Sequence, residues 1–267
     1  EYSVPNPNVT ISNPANGTNL SSGFQAFNAT VYGANISIVI FQFSNRTNHF
    51  NVTGTNNSVN FNVNIDLARI SEGLNNMTIF ANDSLNQINN TEFIQFTIDR
   101  TPPLVRFTAP VESSLFNRFT YNITFNVRAN DSNLTIAAAL LSFDNSTGPE
   151  FNLTLFNISG DWNASYNVST LADGTHTATI IANDTAGNYN RTVVLTFTVD
   201  KTVPAVTFTN PSNSSNLSSG TVLFNATVGD ISISNIVVFL NFSNGTNSFQ
   251  DTATNNTGNW GVSMNLA

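Results

Sequence analysis

The chain has 267 residues, a net charge of −8 from 16 acidic and 8 basic residues, no cysteine, and a charged fraction of only 9%. The few scattered Lys and Arg residues exclude a basic surface for nucleic acid, and the missing cysteines exclude a disulfide framework or a thiolate metal site. Apolar runs are too short to predict a membrane span, and surface polarity rests on Asn, Ser and Thr rather than on charge.

Glu1 in place of Met is read as a sign of processing or of a piece of a longer chain. The first unit opens on Pro7-Asn8-Val9, which matches Pro103-Leu104-Val105 and Pro204-Ala205-Val206. These points set a period of about one hundred residues and predict three units, 1–103, 104–203 and 204–267. Units one and three agree closely over 9–31 (VTISNPANGTNLSSGFQAFNATV) and 206–228 (VTFTNPSNSSNLSSGTVLFNATV), whereas unit two keeps the spacing with a different sequence.

Within each unit, short runs alternate apolar and polar residues between Gly, Pro, Asn and Ser clusters, and no stretch reads as a helix. Unit two predicts seven strands, at 105–108, 120–128, 137–143, 151–156, 162–168, 175–182 and 192–199. The fold class is therefore all-β, with tandem two-sheet sandwiches of about seven strands each. On the second strand Phe27, Ala29 and Val31 align with Tyr121, Ile123 and Phe125, and with Phe224, Ala226 and Val228. Asn28, Asn122 and Asn225 fall between them and point outward. On the fifth, Trp162, Ala164, Tyr166 and Val168 align with Val59, Phe61, Val63 and Ile65, and with Trp260, Val262, Met264 and Leu266.

Residues 72–103 and 173–204 are parallel copies: a Gly turn, a strand, an A-N-D-[ST] turn, a second strand, and D-[RK]-T-x-P. The prolines predict a stiff linker. Unit three stops at a point matching 166–169, so its last two strands are expected to be missing. Either the repeat array continues beyond it, the favoured expectation because 1–7 holds no spare strand pair, or a neighbouring subunit completes it by strand complementation.

Asn-x-Ser/Thr triplets number about 27, more than twice the roughly ten that composition alone produces, and each is an N-glycan acceptor in an exported chain. They begin at Asn8, Asn16, Asn19, Asn28, Asn35, Asn45, Asn51, Asn56, Asn76, Asn82 and Asn89 in unit one. Unit two carries Asn122, Asn130, Asn133, Asn145, Asn152, Asn157, Asn163, Asn167, Asn183 and Asn190. Unit three adds Asn213, Asn216, Asn225, Asn241, Asn244 and Asn255. Asn82, Asn89, Asn183 and Asn190 are expected to place glycans beside the unit junctions.

No catalytic constellation emerges. His49 and His176 lie in different units, without ligand spacing, and read as strand-surface or edge histidines. There is no G-x-S-x-G elbow and no Gly-rich phosphate loop. No metal ligands are assigned; calcium at the unit junctions is the one chemical option, using Asp83, Asp99, Asp184 and Asp200 with an oxygen from Asn188. The competing reading is that these residues, like Asp131 and Asp230, fix turns. Most Phe residues, among them Phe61, Phe107, Phe125, Phe143 and Phe197, fall on the core period, while Phe41, Phe43 and Phe239 are candidates for interface surface.

The A-N-D-T-A-G-N turn at 182–188, followed by a strand and D-K-T-V-P at 200–204, resembles the immunoglobulin-like repeats of bacterial and archaeal surface proteins. Unit one lacks the A-G-N portion, which argues against a special role for 186–188. The resemblance implies immunoglobulin-like sandwiches and a non-enzymatic role as a stalk, adhesin shaft, surface-layer component or filament subunit at a microbial cell exterior. An adhesin or glycan-binding protein is the alternative it leaves open.

Overall fold

The computed structural model describes residues 5–45, 47–144, 150–230 and 236–266; the predicted acceptor Asn145 and the terminal Ala267 lie outside them. Repeat one contains β1 (Asn8–Asn13), β2 (Thr18–Leu20), β3 (Phe24–Tyr32), β4 (Ile36–Ser44), β5 (His49–Thr53), β6 (Thr55–Asn57), β7 (Asn60–Asp66), β8 (Gly73–Asp83), β9 (Ile88–Asn89) and β10 (Phe93–Ile98). They form two sheets, β1-β3-β7-β6 and β2-β10-β8-β4-β5, with β9 paired to β8.

Repeat two reproduces both sheets with β11 (Leu104–Ala109), β12 (Ser114–Asn117), β13 (Asn122–Asn130), β14 (Ile136–Asp144), β15 (Phe151–Thr154), β16 (Phe156–Ile158), β17 (Asp161–Asn167), β18 (Gly174–Asp184), β19 (Tyr189–Asn190) and β20 (Val194–Asp200). Repeat three has β21 (Ala205–Asn210), β22 (Thr221–Gly229), β23 (Phe239–Ser243), β24 (Ser248–Thr252), β25 (Thr254–Asn256) and β26 (Asn259–Asn265). Its first sheet is complete, but among the described residues its second is only the hairpin β23-β24. The only helical elements described are single 3-10 turns after β7 and β17, and no helix is long and apolar enough to cross a membrane.

The predicted strand 151–156 divides at Leu155. This buried residue donates its N–H to the Ala139 carbonyl (3.0 Å), and the chain steps there from the sheet of β14 to the sheet of β17. Gly54 and Ala253 make the same step in the other repeats, donating to Val39 and Val238 (2.9 Å each). β12 escapes sequence reading because it is short and takes its place by parallel pairing with β20.

Register corrects two of the sequence alignments. Phe27 sits opposite Val63, Phe125 opposite Ala164 and Phe224 opposite Val262, so Phe125 rather than Tyr121 is the counterpart of Phe27. Asn28 and Asn225 therefore correspond to Asn126, which is not an acceptor, and Asn122 corresponds to Phe24. The cause is a longer connection between β12 and β13 than between β2 and β3. Likewise Trp162, opposite Val127, matches Phe61, opposite Ala29, and not Val59. Both shifts are even, so every residue keeps its predicted face.

Alternation builds the cores. In β18, His176, Ala178, Ile180, Ala182 and Asp184 point inward and are buried. Phe27 packs edge-on against Phe43 at 4.9 Å between centroids, and Phe125 repeats this with Phe143 at 5.1 Å. Each fully buried ring contributes about 1.5–3 kcal/mol of burial free energy. Phe41 and Phe43 thus belong to the core rather than to an interface; Phe239 is exposed. His176 is also a core residue, not an edge one: its Nε2 lies 2.9 Å from the Ala172 carbonyl and its ring stacks on Phe197, whereas His49 is exposed.

Candidate functional site

Asp99 directly follows β10 and is anchored to repeat one, where its N–H donates to the Leu20 carbonyl (2.9 Å). Its side chain is fully buried. Oδ1 accepts from the Thr101 N–H (3.0 Å) and from Asn133 Nδ2 of repeat two (3.3 Å), while Oδ2 has no hydrogen-bond partner.

Two carboxylates of repeat two converge on it. Asp131 follows β13 and uses Oδ1 to accept from the Asn133 and Leu134 N–H groups (2.9 and 3.1 Å), leaving a buried Oδ2 without a partner. Asp184 ends β18, is 1% exposed, and accepts at Oδ1 from the Ala186 and Asn188 N–H groups (2.8 and 3.0 Å). One ligand oxygen from each of Asp99, Asp131 and Asp184 falls within 4.8 Å of the other two. At that separation each pair of charges repels by about 3.5 kcal/mol for an effective dielectric near 20. No ion pair among the described residues reaches any of the three.

One oxygen of Asp131 holds its turn while the other is buried without a hydrogen-bond partner, so turn-fixing accounts for only part of this side chain. Hard oxygen donors without His or Cys suit Ca²⁺ or Mg²⁺ rather than zinc. The structure brings together the anticipated Asp99 and Asp184 and adds Asp131, which sequence had assigned only to a turn. Asn188 contributes differently from the expectation. Its Nδ2, not its oxygen, faces the cluster and donates to the Asp99 carbonyl and to Asp184 Oδ2 (2.8 Å each). It thus binds repeat two to the end of repeat one, a specific role for the A-G-N portion of the turn.

Asp83 and Asp200 do not join the cluster. Asp83 is the counterpart of Asp184 in repeat one and holds its own turn through the Leu85 and Gln87 N–H groups (2.9 Å each). The position corresponding to Asp131 there is Gly33. At the next junction Asp200 and Asp230 supply two of the three positions, but the third belongs to the hairpin that repeat three lacks among the described residues.

The basic residue of D-[RK]-T serves the 3-10 turn of its own repeat. Arg100 donates to the Leu67 and Ile70 carbonyls, and Lys201 Nζ to those of Ser169 (3.1 Å) and Leu171 (2.6 Å). Of the predicted glycan acceptors among the described residues, none is buried. Asn19, Asn28, Asn45, Asn76, Asn82, Asn89, Asn163, Asn183, Asn190 and Asn225 are half-buried, and the remainder are exposed.

A family model described as a bacterial Ig-like domain matches residues 118–201, and another, a bacterial Ig-like domain of group 3, matches 59–141. Among solved structures the chain is similar to fibronectin(III)-like modules of CbhA from Clostridium thermocellum (17% identity, TM-score 0.42, 72% of this chain and 94% of that one). It is also similar to a 1.5-MDa bacterial ice-binding adhesin (15%, 0.42, 98% and 88%) and to a marsupial T cell receptor (7%, 0.49, 96% and 91%). No curated protein matches the chain. The two bacterial Ig-like models overlap at 118–141 and together span 59–201 of a chain whose sheet plan recurs three times, so this chain carries tandem immunoglobulin-like repeats.

Proposed function

We propose that the chain is a non-enzymatic structural element of a microbial cell exterior, a glycan-coated building block of a filament, stalk or surface layer in which the repeats act as spacers. The observation that carries this reading is the closed joint at Asp99. A fully buried residue anchored to repeat one is gripped by Asn133 and Asn188 of repeat two, so the joint resists bending. Calcium bound by Asp99, Asp131 and Asp184 would tighten it by neutralising the cluster. Exposed Asn-x-Ser/Thr triplets other than Asn133 would carry the sugars. Among the described residues β23 pairs only with β24, and its other edge is where the counterparts of β8 and β10, from further along the chain or from a neighbour, would pair.

An adhesin is the second reading, favoured by the exposed rings of Phe119 and Tyr121 at 71% and 64%. Chemical deglycosylation with intact mass measurement, and a glycan array run with and without chelator, test the two. A spacer loses sugar mass and binds no glycan on the array. Unchanged mass removes the coat, and specific chelator-sensitive array binding replaces the spacer by the adhesin.

A further inference from the structure

In two of the Asn-x-Thr triplets both polar side-chain atoms of the asparagine are hydrogen-bonded within the fold. Asn89 Nδ2 donates to the Pro7 carbonyl (2.8 Å), while its Oδ1 accepts from the N–H and Oγ1 of Thr91 (3.0 Å each). Asn190 repeats each bond: Nδ2 to the Pro103 carbonyl (2.9 Å), and Oδ1 from the N–H and Oγ1 of Thr192 (3.0 and 2.9 Å). Asn45 and Asn167 make the same turn onto their own Thr or Ser, but no hydrogen bond from their amide nitrogens is found among the described residues. The proline at the start of each repeat reports the consequence. Pro7 and Pro103, which meet such an asparagine, are buried; Pro204, which has none in the described residues, is exposed.

We propose that Asn89 and Asn190 are clasps, not glycan acceptors: their amide nitrogens hold the incoming linker against the last hairpin of each repeat and stay free of sugar. A sugar on Nδ2 replaces one of its two hydrogens and has to be accommodated at a half-buried nitrogen already hydrogen-bonded to linker backbone in the folded chain. It stands against the expectation of glycans at these two junction positions and rests on the glycan-coat reading only for its first test.

That test is glycopeptide mass spectrometry of the full chain secreted from an N-glycosylating host. Asn89 and Asn190 are expected unmodified while exposed Asn122 and Asn167 carry sugar. Occupancy at Asn89 or Asn190 equal to that at Asn122 overturns the clasp. Sugar at none of the positions removes the coat and leaves the clasp to the second test, thermal unfolding of Asn190→Asp and Thr192→Ala chains made without glycosylation. Asn190→Asp keeps the turn but removes the donor, so its melting midpoint falls by a few degrees, on the order expected for a lost half-buried bond, while Thr192→Ala, which keeps the donor, shifts less. Equal shifts, or none for Asn190→Asp, overturn the proposal.

Discussion

β1 and β21 are near copies in sequence, NVTISN and AVTFTN, and both pair antiparallel with the following long strand in the same register. Their burial is opposite. Val9 is 4% exposed and Val206 56%, because β1 faces β8 across the sandwich while β21 has no described strand to face. The same contrast runs through the junctions. Between repeats one and two the linker is closed over three carboxylates; between two and three a 400 Å³ groove lined by Leu115, Phe119, Asp200, Pro204 and Asp230 lies open. An alternating strand therefore encodes which face can be buried, and its partner decides whether it is.

The largest effect expected from this contrast is in the cores. Phe125 and Phe224 occupy one position, the first fully buried and the second half-buried. Phe125→Ala should cost repeat two about 3–5 kcal/mol, and Phe224→Ala should cost repeat three less than about 2 kcal/mol. Hydrogen exchange read repeat by repeat measures both in one chain, where a single unfolding midpoint would not. Equal losses would mean that repeat three has a complete core in solution.

The second effect separates the junctions. Calcium at a hundredfold excess over its dissociation constant should stabilise the chain by about 2.7 kcal/mol through one site. Asp99→Asn should abolish that increment and, in chelator, leave the chain more stable than the parent, because it removes repulsion from the cluster. Two equivalents bound, or an unchanged increment in Asp99→Asn, would break the distinction between a complete and an incomplete site.

Much of this is legible in the sequence: the repeat, the sandwich and the inward faces all follow from period-two patterning and self-alignment. What sequence missed depended on three-dimensional neighbours. Asp131 reads as a turn residue until β13 and β18 place it beside Asp184. His176 sits on an inward strand position, yet a lone polar residue there reads as an edge. The misplaced counterpart of Asn28 came from a connection whose extra length leaves the alternation unchanged, so the pattern alone cannot expose it.

A third effect concerns the completed repeats alone. Arg100 and Lys201 each satisfy two carbonyls of the 3-10 turn, bonds to charged donors worth about 1.5–3 kcal/mol. Arg100→Ala and Lys201→Ala should therefore destabilise repeats one and two respectively, visible as faster exchange of amides at 70–73 and 171–174. Arg100→Lys should recover part of the loss, since Lys201 fills the same role.

The smallest effect distinguishes repeats one and two from each other. Asp173 accepts from the Thr202 hydroxyl and from the Lys201 N–H (3.0 Å), whereas repeat one has Glu72 there, accepting from the Arg100 N–H (3.0 Å). The Thr202 hydroxyl, with the backbone N–H groups of Lys201 and Thr202 and the Lys201 charge, holds the Asp173 carboxyl below its ordinary value against the opposing effect of burial. A carboxyl depressed in the folded state binds its proton more readily when unfolded, so it stabilises the fold at neutral pH. That contribution is lost as pH falls below about 4 and through the folded value. Asp173→Asn should flatten the acid limb of the stability profile of repeat two and leave repeat one unchanged. The group is largely solvated, so the effect should be small and should shrink further in salt. An acid limb that persists unaltered in Asp173→Asn would show that this carboxyl does not carry the pH dependence of repeat two.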